Sequence, residues 1–385
     1  MKFKTGILVF LTIFTLLYFS CDFLLENDDN NGKNNDGNEI KTSVGPLIKT
    51  KWNQNAPFNN LTPMDGDSHS NAGCVAVAMA QVMKYHGYPE QGIGQTESYT
   101  TRTGINVPSV NLEVNYKWDD MLDTYPSATS GTVQEQNAVA TIMYHAGVSV
   151  QMHYSASGSE PSINTAPPLV NFFGYDKNIE YHIRSYYKND AEWKAIIREQ
   201  LNFGLPVIVS GGNDLGSGHR FIIDGYDNKD RFHINYGWGG NRDGWYSFDE
   251  MTYYKDQRMW INIKPYEGGV GTSVIALESL TVDKSIVQKN EPFVLSVRLI
   301  GVGYFPGGQI GAALMDNNGD IVEIMYRSTP FEELNVGTTR GSTITCRVRE
   351  APPGQYQINI ILKPTGEDLK VTKLSVADNL NIKVQ

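Results

Sequence analysis

A thiol and an imidazole in this 385-residue chain lie in settings that suit nucleophilic chemistry. Cys74 follows Asn71-Ala72-Gly73 and begins an apolar stretch, where the free N–H groups and the dipole of a helix start would favour a thiolate. His219 follows Gly216-Ser217-Gly218 at the start of a predicted strand, and these glycines would let a substrate backbone approach closely. A thiol nucleophile needs such an imidazole to take its proton, so the pair indicates acyl transfer.

Two side-chain amides complete this set of residues. Asn235 ends a predicted strand before a glycine-rich turn and is suited to orient the imidazole. Gln54 precedes the thiol along the chain and is suited to donate a hydrogen bond to an oxyanion. The aromatic residue Tyr236 comes directly after Asn235, and Trp238 comes two residues later; we expect them to shield the contact between imidazole and amide from water.

Four stretches of the sequence closely resemble the streptopain-like cysteine peptidases, a papain-fold family of streptococcal and Bacteroides- or Prevotella-type secreted proteases. The stretches occur in the family's order and belong to a region of about residues 46–267. They are residues 52–59 (WNQNAPFN), 73–86 (GCVAVAMAQVMKYH), 218–225 (GHRFIIDG) and 233–240 (HINYGWGG).

This resemblance implies a role for each residue. Cys74 would be the nucleophile, and His219 the general base and then the general acid. Gln54 would donate to the oxyanion beside the backbone N–H of Cys74, and Asn235 would orient the ring. The implied reaction is peptide hydrolysis by a thiolate–imidazolium pair, with a preference for an apolar side chain two residues before the cleaved bond. The family often has Trp where this chain has Tyr236.

Composition excludes several other classes of function. The chain has 32 Lys+Arg against 42 Asp+Glu, a formal net charge of −10, so we expect no nucleic-acid partner. Its 3 Cys are too few for a disulfide framework, and Cys346 fits the interior of a strand. The sequence has no His-Glu-x-x-His or paired Cys-x-x-Cys motif, so we predict neither a metal site nor a cofactor.

The N-terminal residues predict export. Residues 1–20 combine Lys2 and Lys4 with a long apolar run and have the layout of a signal peptide. The residues that end at Cys21 resemble a bacterial lipobox, which makes Cys21 the lipidated first residue; the alternative is an ordinary signal in which Cys21 is incidental. Residues 21–45 are rich in Asn and Asp and predict a disordered tether. We expect an exported bacterial lipoprotein at the outer membrane or cell surface that touches the membrane through its lipid alone.

The family is generally made with a folded prodomain before the segment that contains Trp52. Only thirty residues separate Cys21 from Trp52, too few to fold unaided. We therefore expect no autoprocessed prodomain here. Latency would then depend on a proteinaceous inhibitor as partner, or on export itself.

Hydrophobic periodicity and turn residues predict a first domain in which helices are mixed with an antiparallel sheet, and the resemblance implies that this is an α+β papain-like peptidase domain at residues 46–267. The same patterns predict an all-β, immunoglobulin-like sandwich at 268–385. A Pro/Gly-rich join at 264–273 separates them. The predicted helices of the first domain are 75–85, 134–145 and 190–203, and its predicted strands are 206–210, 220–226, 231–236 and 244–249. Short alternating runs in the second domain predict about seven strands.

The sequence thus predicts a secreted, lipid-anchored cysteine endopeptidase that acts on protein or peptide substrates. One alternative is a non-catalytic surface adhesion or binding lipoprotein on a peptidase fold, in which the sandwich would be the working part. Another is an acyl transferase of the transglutaminase type, which would favour Asp at position 235. The presence of Cys74, His219, Asn235 and Gln54 together favours the peptidase.

Overall fold

The computed structural model describes residues 41–266, 275–301, 305–318, 320–334, 338–366, 370–371 and 380–385. The predicted signal peptide, Cys21 and most of the predicted tether lie outside these residues. So does the predicted domain boundary at 267/268, with most of the join. Among the residues described, no helix combines the length and the apolar character needed to cross a membrane.

The helices of the described residues all belong to the first domain. They are α1 (Cys74–His86), α2 (Val133–Ser149), α3 (Ala166–Phe173) and α4 (Asp190–Asn202). Helix α1 begins at the thiol, as predicted, and ends where Gly87 adopts a left-handed conformation at φ 58°. Helix α4 also matches its prediction, although its cap is Asn189, whose side chain accepts a hydrogen bond from the N–H of Glu192.

Two helices differ from the prediction for steric reasons. Helix α2 passes its predicted end at residue 145 and continues through Gly147 to Ser149. A Cβ at Gly147 would lie 2.2 Å from the Tyr154 hydroxyl, so this glycine makes room for a ring rather than ending a helix. Helix α3 is not among the predicted helices because it contains Pro167 and Pro168. Both lie in its first turn, where proline is tolerated because the N–H has no partner within the helix.

The strands of the first domain are β1 (Met64–Asp65), β2 (Ser68–His69), β3 (Tyr99–Thr100), β4 (Asn106–Val107), β5 (Glu180–Ile183), β6 (Val207–Gly212), β7 (Gly218–Tyr226), β8 (Phe232–Asn235), β9 (Gly244–Tyr246) and β10 (Lys255–Ile261). Six of them form one antiparallel sheet in the order β5-β10-β6-β7-β8-β9. All four predicted strands belong to this sheet.

Both faces of this sheet are buried, because successive side chains of a strand point to opposite sides. Ile208 and Ile222 belong to a core shared with helices α1, α2 and α3. Val209 and Phe221, their chain neighbours, belong to a second core that includes Trp193 of helix α4. The sheet therefore holds β7, which carries His219, in a fixed position against α1, which carries Cys74.

The segment before α1 is tied to the same sheet. Val44 and Tyr226 exchange backbone hydrogen bonds of 2.8 and 2.9 Å, and Leu47 donates to the carbonyl of Asp224 at 2.9 Å. The N–H of Ile48 donates to the buried carboxylate of Asp224 at 2.8 Å. Regular pairing thus already begins at Val44, within the predicted tether, and leads the chain toward Gln54.

The second domain is all β, as predicted. Its strands are β11 (Ile275–Val282), β12 (Ile286–Val287), β13 (Phe293–Gly301), β14 (Gly308–Met315), β15 (Ile321–Phe331), β16 (Thr339–Cys346), β17 (Gly354–Pro364), β18 (Lys370–Val371) and β19 (Leu380–Val384). One sheet has the order β11-β13-β16; the other has the order β12-β19-β17-β14-β15, with β18 on β17. The two sheets share one core, in which Leu295 and Ile344 meet Ile310 and Ile358. Cys346 is fully buried in that core, as its strand pattern predicted.

Candidate active site

Three of the four predicted catalytic side chains line one open cleft of about 1120 Å³. Helix α1 contributes Cys74, strand β7 contributes His219, and the segment before α1 contributes Gln54. They come from parts of the chain that are far apart in sequence, and the fold brings them together. Asn235 is buried and is not among the residues that line this cleft.

Backbone geometry fixes the positions of Cys74 and Gln54. Gly73 precedes the thiol at φ 89° and ψ 140°, and a Cβ there would lie 2.8 Å from the terminal methyl of Met152. Only glycine fits that position without strain. The N–H of Ala72 donates to the carbonyl of Gln54 at 3.0 Å, which holds Gln54 beside the start of α1. Within the described part of the chain, the Gln54 amide group makes no hydrogen bond, so its N–H groups are available to an oxyanion.

His219 is oriented by a backbone carbonyl. Its Nε2 lies 2.8 Å from the carbonyl oxygen of Tyr236. Because a carbonyl only accepts hydrogen bonds, we assign the proton to Nε2, which leaves Nδ1 as the basic nitrogen. The rings of Trp238 and Tyr253 lie 4.6 and 5.0 Å from the imidazole, centroid to centroid. Tyr236 lies farther away at 6.2 Å, so Trp238 and Tyr253 are the main shields.

Burial determines the charge state of both reactive groups. Burial raises the pKa of the Cys74 thiol, while the backbone N–H and the charge of Arg220 act in the opposite direction. Burial lowers the pKa of His219 to about 4, and the Tyr236 carbonyl opposes this shift. Both shifts favour a thiol and a neutral imidazole at neutral pH. The sequence predicted a thiolate–imidazolium pair, and these pKa directions favour the opposite ground state.

The predicted contact between Asn235 and His219 is not found among the described residues. The Asn235 amide instead donates to the carbonyl of Thr50 at 2.8 Å, and its oxygen accepts from the N–H of Gly237 at 3.0 Å. The bond to Gly237 holds the peptide between Tyr236 and Gly237, which contains the carbonyl that orients His219. The backbone carbonyl of Tyr236, not the side chain of Asn235, contacts the His219 ring. Asn235 is therefore a positioning residue that acts on this carbonyl through the backbone.

Gln81 is the partner of Asn235 and was not predicted. Its amide donates to the Asn235 oxygen at 3.0 Å and accepts from the Asn235 amide at 3.3 Å. The same oxygen of Gln81 accepts from the hydroxyl of Thr50 at 2.9 Å and from the N–H of Trp52 at 3.2 Å. Both amides are buried, so each hydrogen bond replaces one lost to water. The signal in the sequence was one amide in the otherwise apolar run VAVAMAQVM.

This network lies on the same side of α1 as the thiol. Gln81 is seven residues, about two turns, after Cys74. Val77 is between them, and a Cβ on Gly237 would lie 2.8 Å from its Cγ1. Gly237 has φ 69°, so the turn after β8 can pack directly on α1 only because this residue has no side chain. The nucleophile, the oxyanion segment and the turn that orients the base are thus joined at one helix face.

Arg220 is a further cleft residue that sequence reasoning missed. Its guanidinium lies 3.9 Å from the ring centroid of Trp260 and donates to the hydroxyl of Thr165. Burial lowers the pKa of Arg220 to about 10, so the side chain remains charged at neutral pH. Within the described residues, no group of three or more His, Cys, Asp or Glu side chains is arranged to hold a metal ion.

Comparison with known proteins identifies relatives of the first domain. A family model described as the Peptidase C10 family matches residues 52–246. Streptopain of Streptococcus pyogenes is 36% identical over 238 residues, which are 56% of this chain and 58% of streptopain. The chain therefore spans somewhat more than half the length of that relative. The thiol protease/hemagglutinin PrtT of Porphyromonas gingivalis is 28% identical over 358 residues, 85% of this chain and 40% of that protein.

A solved structure has the same fold. The active wild-type interpain A cysteine protease of Prevotella intermedia is 33% identical and superposes with a TM-score of 0.53. The match covers 58% of this chain and 95% of interpain A. The predicted papain-like fold of the first domain is confirmed.

The neutral resting pair predicts how Cys74 reacts with an alkylating agent. Because burial raises the thiol pKa, the thiolate fraction should grow about tenfold per pH unit from about pH 6 to pH 8. The rate at which iodoacetamide modifies the Cys74-containing peptide, followed by mass spectrometry, should rise in proportion. Cys346 is an internal control, because burial raises its pKa to about 12. A flat alkylation rate across this range would indicate a preformed ion pair and contradict the prediction.

Proposed function

This chain belongs to the peptidase C10 family, and we propose that it is a cysteine endopeptidase that hydrolyses protein or peptide substrates. One observation carries the proposal: a thiol, an imidazole with a free basic nitrogen and an unbonded amide line the same cleft. Hydrolysis of a peptide bond needs a nucleophile, a base and an oxyanion donor, and the cleft has a candidate for each.

In the proposed reaction, Nδ1 of His219 takes the proton of the Cys74 thiol as the sulfur attacks the substrate carbonyl carbon. The oxyanion that forms accepts hydrogen bonds from the Cys74 backbone N–H and from the Gln54 amide. The C–N bond then breaks, and His219 gives its proton to the departing amine. A water molecule, deprotonated by His219, hydrolyses the thioester, releases the second product and restores the thiol.

The electrostatics of the site support proton transfer during attack rather than before it. An imidazolium forms only in that step, and its Nε2–H then donates to the Tyr236 carbonyl as a charge-assisted hydrogen bond. This bond is stronger in the charged state than at rest, which is the kind of difference that lowers a barrier. No carboxylate is needed to orient the ring.

The alternatives have less support. A purely adhesive or binding protein would have no use for an unbonded amide beside a thiol and an oriented imidazole. An acyl transferase is a second candidate because it would form the same acyl-enzyme. Product analysis separates them, because new peptide termini indicate hydrolysis and ammonia release with cross-links indicates transfer. The apolar preference implied by resemblance has limited support in the cleft, where Val75 and Ile183 are among few apolar lining residues.

Substitutions of Cys74 and Gln54 test their proposed roles as nucleophile and oxyanion donor. Cys74→Ala should abolish hydrolysis of an unfolded protein substrate and labelling by an epoxide thiol trap. Gln54→Ala should keep the labelling site but lower kcat by about 10²–10³, the usual cost of one oxyanion donor. Cys346→Ala is the matched control, since its thiol is in the other domain, and it should retain activity. Full hydrolysis by Cys74→Ala, measured with folded protein, would refute the proposal.

We also propose that the chain is exported as a lipoprotein anchored through Cys21, and that a proteinaceous inhibitor or export itself keeps it latent. The signal-like N-terminus supports this proposal. In a bacterial host fed an alkyne fatty acid, the wild-type chain should acquire the label and enter the membrane fraction. Cys21→Ser should lose both, whereas Cys346→Ser should lose neither. Fatty-acid labelling that persists in Cys21→Ser would contradict the anchor.

A further inference from the structure

One wall of the cleft is a row of residues that lie side by side across four strands. Ile183 on β5 pairs with Arg258 on β10, Arg258 pairs with Ser210 on β6, and Ser210 pairs with Arg220 on β7. Directly paired residues of antiparallel strands project from the same face of the sheet. All four residues line the cleft that contains Cys74. Two arginines therefore flank a serine, with Cα atoms about 10 Å apart at the usual strand spacing.

Arg220 is held rigidly in this row. Its guanidinium lies 3.9 Å from the ring centroid of Trp260, and Nη1 donates to the hydroxyl of the buried Thr165. Its Nε is buried and has no hydrogen-bond acceptor among the described residues. An atom so deeply buried cannot be reached from the cleft, so a ligand would bind Nη2, for which the described part of the chain provides no hydrogen bond. The planar guanidinium is thus fixed in place with hydrogen-bonding capacity still unused.

The charges around the cleft leave these two arginines without a carboxylate. Arg184 and Lys255 also line the cleft, but they pair with Asp190 and Asp214. Two carboxylates line it as well: Glu160 pairs with Arg102, and Asp256 forms no ion pair with Arg220 or Arg258 among the described residues. Over the described ranges, neither Arg220 nor the exposed Arg258 forms an ion pair, and repulsion from Arg258 contributes to the lowered pKa of Arg220. The guanidinium groups of Arg220 and Arg258 thus form a positively charged wall in a chain of formal net charge −10. An anionic group of a bound ligand would pair with both.

The position of Arg220 indicates what that anion is attached to. Arg220 directly follows His219 in strand β7 and lines the same cleft as Cys74, and its backbone N–H and its charge both act to lower the pKa of the Cys74 thiol. A substrate carbonyl at the sulfur would thus be within a residue or two of the arginine wall. We propose that Arg220 and Arg258 bind the carboxylate of an aspartate or glutamate side chain close to the cleaved bond, and that the protein prefers acidic peptides.

This inference rests on the proposed peptidase function and adds an acidic subsite to the apolar preference that resemblance implied. The guanidinium fork matches a carboxylate in two parallel hydrogen bonds, whereas an apolar side chain would leave both arginines unsatisfied. The preference should be electrostatic, and it should weaken as ionic strength rises.

Peptide pairs that differ only in glutamate against glutamine test the proposal. Each pair carries the substitution at a single position, and different pairs cover the positions before and after the cleaved bond. The kcat/KM of the full chain is measured for each peptide, with the enzyme concentration determined by titration of the active thiol. At one position glutamate should be preferred about ten- to hundredfold, the range expected for charge-assisted hydrogen bonds. Arg220→Gln should bring that ratio close to one, and Arg220→Lys should retain part of it.

Two further variants keep the test decisive. Arg258→Gln, at an exposed position, should lower the same ratio even if Arg220→Gln fails to fold. Arg184→Gln is the matched control, because Arg184 lines the cleft but is paired with Asp190, and it should leave the ratio unchanged. A wild-type ratio near one with cleavage of neutral peptides, or a preference for leucine at every position, overturns the acidic preference while the peptidase stands. Failure to cleave any peptide would count against the proposed function itself.

Discussion

A buried pair of amides, Gln81 and Asn235, determines the geometry of the candidate active site. The two side chains bond to each other, and their remaining groups bond to Thr50, to Trp52 and to Gly237. Through these bonds, helix α1 is fixed to the segment that leads to Gln54 and to the turn after β8. An unsatisfied buried amide is costly, so the three parts of the chain are held in one arrangement.

The backbone carbonyl of Tyr236 gains its role from this arrangement. A carbonyl has no rotamer of its own, and its direction depends on the peptide that carries it. Asn235 fixes that peptide on one side through Gly237, and the close packing of Gly237 on Val77 limits its movement on the other. The carbonyl then fixes the proton on Nε2 of His219, while Trp238 and Tyr253 exclude water from the ring. The result is a neutral base that gains its strongest hydrogen bond only on protonation.

Residue patterns predicted the order of helices and strands, and the resemblance of four stretches predicted the papain-like fold and three of the cleft residues. Cys74 and His219 each follow a glycine at the start of a helix or a strand, and such local signals can be read from one stretch of sequence. Gln54 has no such signal and was predicted from its place ahead of Cys74 and from the resemblance of residues 52–59. The role of Asn235 could not be predicted from such local signals. The Asn235 side chain and the backbone carbonyl of the next residue, Tyr236, are both candidates to contact the His219 ring, and only the structure shows that the carbonyl does so. Tyr253 comes from a stretch that contacts the site only after folding. Gln81 and Arg220 share elements with Cys74 and His219, but only the packed structure shows which partners their side chains have.

A double-mutant cycle on Gln81 and Asn235 tests the central claim most directly. Gln81→Met and Asn235→Leu each remove one amide, and the double variant removes both. If the pair acts as a unit, the kcat of each single variant should fall nearly as far as that of the double variant, with KM little changed. Thermal unfolding gives the folded fraction of each variant, and each kcat is calculated per folded molecule. Additive losses, or full kcat in either folded single variant, would contradict the account.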